Sequence, residues 1–210
     1  MNENLDHIVH LVSRIDGWLT TAEGKLLHRL ARRCTGRGVI VEIGSWKGRS
    51  TTWLALGSKA AAQAPVYAVD HHTGSSENRE ALGEVWTFDE FRRNIAAAGV
   101  EDIVIPVVKT SAEAVVGFDL PIELIFIDAA HEYDAVRSDF DAWFPKVIEG
   151  GYMAFHDTSA VADDPGGRAG ARQVVEELLF PSRHFRSVGF ADSITYGQKV
   201  SQNTFADRLR

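Results

Sequence analysis

Residues 39–50 read VIVEIGSWKGRS. An apolar run that contains Glu42 is followed by a Gly-x-x-x-Gly turn from Gly44 to Gly48, and then by hydroxyl side chains that begin at Ser50. This order predicts a buried strand, a tight turn and a helix start. Because glycine lacks a Cβ atom, the backbone can approach a ligand or adopt a positive φ there, and the first N–H groups of the helix can face an anionic group. We therefore expect a ligand-binding turn.

The spacing of the two glycines narrows the class of ligand. A dinucleotide turn requires G-x-G-x-x-G and a phosphate loop requires G-x-x-x-x-G-K-[ST], and neither pattern is present. Glu42 would repel a phosphate but would attract an ammonium group, so the turn suits a zwitterion such as an amino acid moiety. We assign cofactor binding to the following residues: Glu42, Gly44, Ser45, Gly48 and Ser50. A turn whose glycines serve only close packing remains an alternative.

A second acidic residue, Asp70, ends the next apolar run, PVYAVD at 65–70. An acid at the end of the second strand commonly binds a ribose diol, because it can accept hydrogen bonds from both hydroxyls. A loop or helix cap is the alternative. Glu42 and Asp70 together describe a ligand that carries both an amino acid and a ribose, and S-adenosylmethionine is such a ligand.

Composition limits the class of protein. With 210 residues, of which 45% are hydrophobic, the chain is suited to one domain. Its net charge of -7 argues against a nucleic-acid partner, and no apolar stretch approaches the roughly 20 residues that span a membrane. The single cysteine, Cys34, excludes an internal disulfide and fits a reducing compartment. We expect a cytoplasmic protein, with a homo-oligomer possible.

Apolar strands alternate with helical patterns along most of the chain, which predicts a parallel sheet covered on both faces. The predicted strands are 39–43, 65–70, 103–108, 122–128 and 151–157, and the predicted helices are 50–62, 87–98 and 133–147. FRSVGF at 185–190 and ITYGQK at 194–199 predict a terminal antiparallel hairpin. The predicted fold class is α/β, a Rossmann-like sheet of seven mostly parallel strands with helices on both faces.

The chain is predicted to have three parts. Residues 1–35 form an N-terminal helical segment, residues 36–200 the cofactor-binding domain, and residues 201–210 a polar tail. Two long loops, 71–86 and 158–168, follow the carboxyl ends of strands, which is the edge where open α/β sheets bind ligands.

Three potential metal ligands fall at that same edge. Asp128, His156 and Asp157 end neighbouring strands, so their side chains can converge on one ion. His131 lies three residues after Asp128 and can face the same cleft. The alternative is that the two aspartates cap helices while His156 packs against the cofactor.

These strings resemble class I S-adenosylmethionine-dependent methyltransferases, with EIGSWKGRS as the first motif and VYAVDHHTGS as the second. FIDAAHEYDAVRSDFDAW and GGYMAFHDT resemble the branch of small cation-dependent O-methyltransferases, which includes catechol and antibiotic-sugar enzymes. The resemblance covers roughly residues 36–200.

The resemblance implies a role for five side chains. Asp128, His156 and Asp157 would hold a divalent cation, and Asp128 would also contribute to the cofactor site. Related sugar enzymes place an acid where this chain has His156; oxygen ligands favour Mg²⁺, whereas an imidazole widens the choice to Mn²⁺, iron or zinc. His131 stands where the branch places its general base. Ser111 resembles an adenine-side residue.

The sequence therefore predicts an O-methyltransferase that uses S-adenosylmethionine and a divalent cation, Mg²⁺ or Mn²⁺, on a hydroxyl of a saccharide or other small molecule. One alternative is a non-haem metal oxidoreductase with Asp128, His131 and His156 as an iron triad. The other is a cofactor-binding module without turnover.

Overall fold

The computed structural model describes residues 5–74, 83–159 and 169–200. Parts of both long loops predicted from the sequence, at 75–82 and 160–168, and the predicted polar tail at 201–210 lie outside the described residues.

Seven strands form one sheet, in the order β3-β2-β1-β4-β5-β7-β6. Their bounds are Val39–Ile43 (β1), Val66–Val69 (β2), Val104–Val107 (β3), Ile122–Ile127 (β4), Val147–Phe155 (β5), Phe185–Ala191 (β6) and Ile194–Lys199 (β7). The first five strands pair in parallel, whereas β7 is antiparallel to both β5 and β6. The predicted fold class, including the terminal hairpin, is confirmed.

Seven α-helices lie in the described part of the chain. Their bounds are Leu5–Val12 (α1), Thr21–Arg32 (α2), Arg49–Lys59 (α3), Phe88–Ala97 (α4), Ser111–Val115 (α5), Tyr133–Trp143 (α6) and Ala169–Leu178 (α7). The short helix α5 was not predicted. The predicted helix 133–147 ends earlier, at Trp143, because Pro145 falls in a 3-10 turn over Phe144–Lys146, and β5 begins directly after that turn.

The central strands are apolar throughout because both faces of the sheet are covered. All residues of β1 and β4 are buried, and their side chains alternate between two cores. Ile40 and Leu124 pack with helices α1 to α4 on one face, whereas Val41 and Ile125 pack with helices α5 to α7 on the other.

The N-terminal helix α2 packs closely on α3. A Cβ atom on Gly24 would lie 2.1 Å from Trp53 Nε1, and one on Gly57 would lie 2.4 Å from the His28 carbonyl oxygen. These contacts join the N-terminal helices to the sheet through α3. The predicted division of the chain at residue 35 stays a prediction. None of the described helices has the length and hydropathy required to cross a bilayer.

Candidate active site

A cavity of about 780 Å³ opens at the carboxyl edge of β1, β2, β4 and β5. The strand register brings these ends together, since Ile43 aligns with both Val69 and Ile127, and Ile127 aligns with Phe155. Nine of the predicted site residues line this cavity: Gly44, Ser45, Ser50, Asp70, Ser111, Asp128, His131, His156 and Asp157. Glu42 and Gly48 are not among the described residues that line it.

The glycine turn has the conformation that its sequence predicts. Gly44 has φ +87°, and Gly48, the residue that precedes α3, has φ +90°. A Cβ atom on Gly44 would lie 2.2 Å from the carbonyl oxygen of Asp128, so glycine is needed where the turn meets the end of β4. Close packing thus accounts for Gly44, and the turn still contributes to the cavity wall.

Gly44→Ala should destabilise the protein by about 2 kcal/mol or more, because the added Cβ forces the backbone of β4 to move and also strains a positive φ. Gly117→Ala is the matched control: its φ is +74°, and a Cβ there would meet no atom of the described residues within 4 Å. Urea unfolding of the two variants checks the prediction. Equal losses of unfolding free energy would contradict the proposed steric contact.

Asp70 holds the glycine turn in place. Its Oδ2 accepts hydrogen bonds from the backbone N–H groups of Ser45 at 2.9 Å and Trp46 at 2.7 Å, and its Oδ1 accepts one from His72 N at 2.6 Å. The carboxylate therefore links the ends of β1 and β2 at the cavity wall. Its predicted contact with a ribose stays a prediction, and such a contact would use the remaining lone pairs.

Glu42 lies under the turn and is completely buried. Its Oε2 accepts a short hydrogen bond from the Thr51 hydroxyl, and its Oε1 has no hydrogen-bond partner among the described residues. Burial raises the pKa of Glu42 to about 8; bonds from Ser50 and Thr51 oppose the rise, and nearby carboxylates add to it. The predicted contact with an ammonium group stays a prediction.

Glu42→Gln should make the ligand-free protein more stable relative to the parent as pH rises. In the parent, unfolded Glu42 ionises near its ordinary pKa of 4.5, whereas the folded protein holds the proton until about pH 8. The parent therefore loses stability as the pH rises from 4.5 to about 8, whereas the variant, which has no carboxyl group at this position, does not. Urea unfolding of both proteins at several pH values, with chelator present, checks this prediction. If the difference in unfolding free energy between parent and variant does not change with pH, the raised pKa of Glu42 is contradicted.

The three predicted metal ligands lie together. One ligand atom from each of Asp128, His156 and Asp157 falls within 4.8 Å of the others. His156 Nδ1 is 3.2 Å from Asp128 Oδ1 and 3.4 Å from Asp157 Oδ1. Within the described part of the chain, neither ring nitrogen makes a hydrogen bond of normal geometry.

The carboxylates around His156 control its protonation. Burial alone would lower the pKa of this imidazole, but the acidic groups that surround it raise the pKa to about 12. Without a cation the ring therefore carries a proton, which a metal ion must displace in order to bind.

His131 lies beside this group. Its Nδ1 is 3.2 Å from Asp157 Oδ2, so Asp157 lies between two imidazoles, with one oxygen towards each. The His131 side chain is 22% exposed and reaches the cavity. A partly exposed imidazole beside a carboxylate has the chemistry to take up a proton.

Ser111 begins α5 and lines the cavity. Its hydroxyl donates a short hydrogen bond to Asp139 and accepts one from Trp143 Nε1 at 2.9 Å. The hydroxyl is thus engaged with α6, and the adenine-side role predicted for Ser111 stays a prediction.

Sequence reasoning missed the contribution of the N-terminal segment. Trp18, which is 68% exposed, lines the cavity and lies 5.6 Å from Trp46 between ring centroids. Glu23, which is 1% exposed, has Oε2 3.4 Å from His156 Nε2. The sequence signal for Glu23 was the helix-capping pattern that begins at Thr20, which indicates a helix start but does not indicate a catalytic cleft.

Comparison with known proteins gives one family match, a methyltransferase domain, over residues 41–158. The matched stretch runs from β1 to the end of β5 and includes the glycine turn, Asp70 and the group around His156.

Solved structures share the fold. The O-methyltransferase TomG from Streptomyces achromogenes, in complex with SAM, is 20% identical with a TM-score of 0.66, over 96% of this chain and 92% of that chain. An O-methyltransferase from Bacillus cereus, in complex with SAH, is 18% identical with a TM-score of 0.63, over 93% and 90%. The SAH-bound Podospora anserina methyltransferase PaMTH1 is 13% identical with a TM-score of 0.67, over 96% and 89%.

Proposed function

We propose that this chain, which belongs to the methyltransferase-domain family, is an S-adenosylmethionine-dependent O-methyltransferase that acts on a hydroxyl of a sugar or other small metabolite with the help of a divalent cation. One observation carries the proposal: the glycine turn and Asp70 share a cavity with Asp128, His131, His156 and Asp157. The proposed cofactor site and the acidic, imidazole-containing group therefore share one cavity.

The cofactor half of the cavity suits S-adenosylmethionine. The buried Ser45 hydroxyl on the turn has no hydrogen-bond partner among the described residues, so a polar group of a ligand could satisfy it. The volume of about 780 Å³ is in the range for a ligand of this size with an acceptor beside it. Two of the similar solved structures, TomG and the Bacillus cereus enzyme, are O-methyltransferases with SAM or SAH bound.

The acidic half suits a divalent cation. Asp128 and Asp157 supply carboxylate oxygens, and His156 supplies an imidazole whose buried nitrogens lack hydrogen bonds of normal geometry to any residue that the structure describes. Such a mixed oxygen and nitrogen set accepts Mg²⁺ and binds Mn²⁺ readily. When bound, S-adenosylmethionine supplies an activated methyl group, and the cation supplies a Lewis acid that makes the acceptor hydroxyl more acidic.

His131 is the proposed general base. Its Nδ1 faces Asp157, so an Nδ1–H donated to that carboxylate leaves the Nε2 lone pair to accept the proton of the acceptor hydroxyl. Asp157 fixes the orientation of the ring and stabilises the positive charge that His131 gains.

The cavity lining combines polar groups with an aromatic surface. Asp16 and Lys109 line it, and so does Trp18, whose side chain is exposed. Carboxylates can accept hydrogen bonds from sugar hydroxyls, and an indole face can pack against a ring. We therefore expect a small polyhydroxylated acceptor that carries a ring.

Transfer of a deuterated methyl group tests the function. The protein would be incubated with S-adenosylmethionine that carries a CD₃ group, Mg²⁺ or Mn²⁺, and a panel of sugars, glycosides and catechols, and the products would be analysed by mass spectrometry. We expect a CD₃ ether on a sugar or related hydroxyl, lost when chelator is added. A product labelled at nitrogen or carbon, or one formed equally well in chelator, would contradict the proposal.

A further inference from the structure

We infer that Glu23, from the N-terminal helix α2, is the positioning residue that orients His156 towards the cation. The inference rests on the proposed cation site, because His156 is one of the proposed ligands and Glu23 is assigned as the partner of its second ring nitrogen. Glu23 Oε2 lies 3.4 Å from His156 Nε2, across the ring from the Nδ1 atom that faces Asp128 and Asp157.

Both nitrogens of His156 are thus placed between carboxylates. An imidazole that binds a metal through one nitrogen commonly donates its other N–H to a carboxylate, which fixes the tautomer and the ring orientation. With Glu23 on Nε2, the nitrogen left for a cation is Nδ1. This is the nitrogen that lies near Asp128 Oδ1 and Asp157 Oδ1.

Glu23 is itself held rigidly. Its Oε1 accepts bonds from Ser193 N at 2.9 Å and from Ser193 Oγ at 2.6 Å, in the turn between β6 and β7. Its Oε2 also accepts a bond from Thr20 N at 2.8 Å, at the start of α2. The side chain is 1% exposed, so solvent does not compete for the carboxylate.

These bonds give the N-terminal segment a role in the site. Three separate parts of the chain, namely the start of α2, the β6–β7 turn and the end of β5, meet at one carboxylate. A helix cap alone would not require the Glu23 carboxylate to reach a buried imidazole at the carboxyl edge of the sheet.

Mn²⁺ binding, followed by electron paramagnetic resonance, tests the assignment in the full-length chain. Glu23→Gln should weaken Mn²⁺ binding by about 10- to 100-fold, the usual effect of removing an outer-shell partner. Glu176→Gln is the matched control, because it makes the same substitution at an exposed residue of α7 that lies outside the cavity lining and pairs with Arg172 at 2.7 Å; its Mn²⁺ affinity should stay within about twofold of the parent. Parental affinity in Glu23→Gln would overturn the assignment, as would an equal loss in both variants.

A second measurement separates failure of this inference from failure of the proposed function. In the cation-free protein, ¹⁵N resonances of the His156 ring should shift at Nε2 in Glu23→Gln and stay unchanged in Glu176→Gln. If the parent binds no Mn²⁺, the cation part of the proposed function fails, and an unmoved Nε2 resonance overturns the Glu23 contact independently. If Glu23→Gln does not fold, Glu23→Asp serves as the second variant. The shorter aspartate keeps the negative charge but moves the carboxylate away from the His156 ring. This variant should therefore show an Nε2 shift and a loss of Mn²⁺ affinity like those expected for Glu23→Gln.

Discussion

Asp128→Asn should reduce Mn²⁺ affinity by more than roughly 100-fold, because Asp128 is proposed to contact the ion directly. Loss of a residue that contacts only a metal ligand commonly reduces affinity by about 10- to 100-fold. Asp128 Oδ1 is 3.2 Å from His156 Nδ1, and the side chain is 23% exposed at the cavity. The amide keeps the size of the side chain but removes its negative charge, which a hard cation requires. Titration of the parent and the variant with Mn²⁺ measures the difference.

Asp141→Asn is the control for that substitution. Asp141 lies on the following helix, where it pairs with Arg137 at 2.9 Å and is 56% exposed. An exposed i,i+4 pair contributes little, so this variant should bind Mn²⁺ as the parent does. Parental affinity in Asp128→Asn would contradict the assignment of Asp128 as a ligand of the ion.

His131→Ala should lower turnover by roughly 10²-fold or more, because general-base catalysis commonly contributes 10²- to 10⁴-fold. The affinity for S-adenosylmethionine should change little, since His131 is proposed to face the acceptor. Initial rates of methyl transfer, together with calorimetric titration of the cofactor, measure the two effects separately.

His7→Ala provides the comparison for His131→Ala. His7 is an exposed residue of α1 outside the cavity lining, so its removal should leave both the rate and the cofactor affinity unchanged. A parental rate in His131→Ala would end its assignment as the base. A variant that loses cofactor binding along with turnover would assign the ring to the cofactor site.

The sheet was predictable because its signals are local. The apolar runs that became β1 and β4 are buried on both faces, and such runs indicate parallel strands between two layers of helices. The neighbouring positions of Asp128 and His156 followed from the same reasoning, since the carboxyl ends of paired parallel strands meet at one edge.

The detail of the turn was less predictable. Strand alternation places Glu42 on the same face as Ile40, under α3, where its carboxylate accepts a bond from Thr51. The sequence showed that an acid stands before the glycine turn but not how completely the fold buries it. Similarly, the three backbone bonds that Asp70 accepts depend on the loop conformation, which residue pattern alone does not determine.

The role of the N-terminal helices could not be predicted from periodicity. Their apolar faces predict helices that pack against the rest of the protein, but they do not indicate which element they contact. Close contacts such as Gly24 against Trp53 place α2 on α3. Glu23 and Ser193, which are 170 positions apart in the sequence, meet because α2 packs on α3 and the hairpin pairs with β5. The contact with His156 follows from this long-range arrangement.

Calorimetric titration of the purified protein with S-adenosylmethionine, first with Mn²⁺ or Mg²⁺ present and then with chelator, tests the central claim most directly. The proposed site predicts saturable micromolar-range binding of the cofactor, and one Mn²⁺ ion per chain when the cofactor-loaded protein is titrated with metal. Absence of cofactor binding under both conditions would contradict the methyl-transfer function. Cofactor binding without any Mn²⁺ binding would contradict the cation site formed by Asp128, His156 and Asp157.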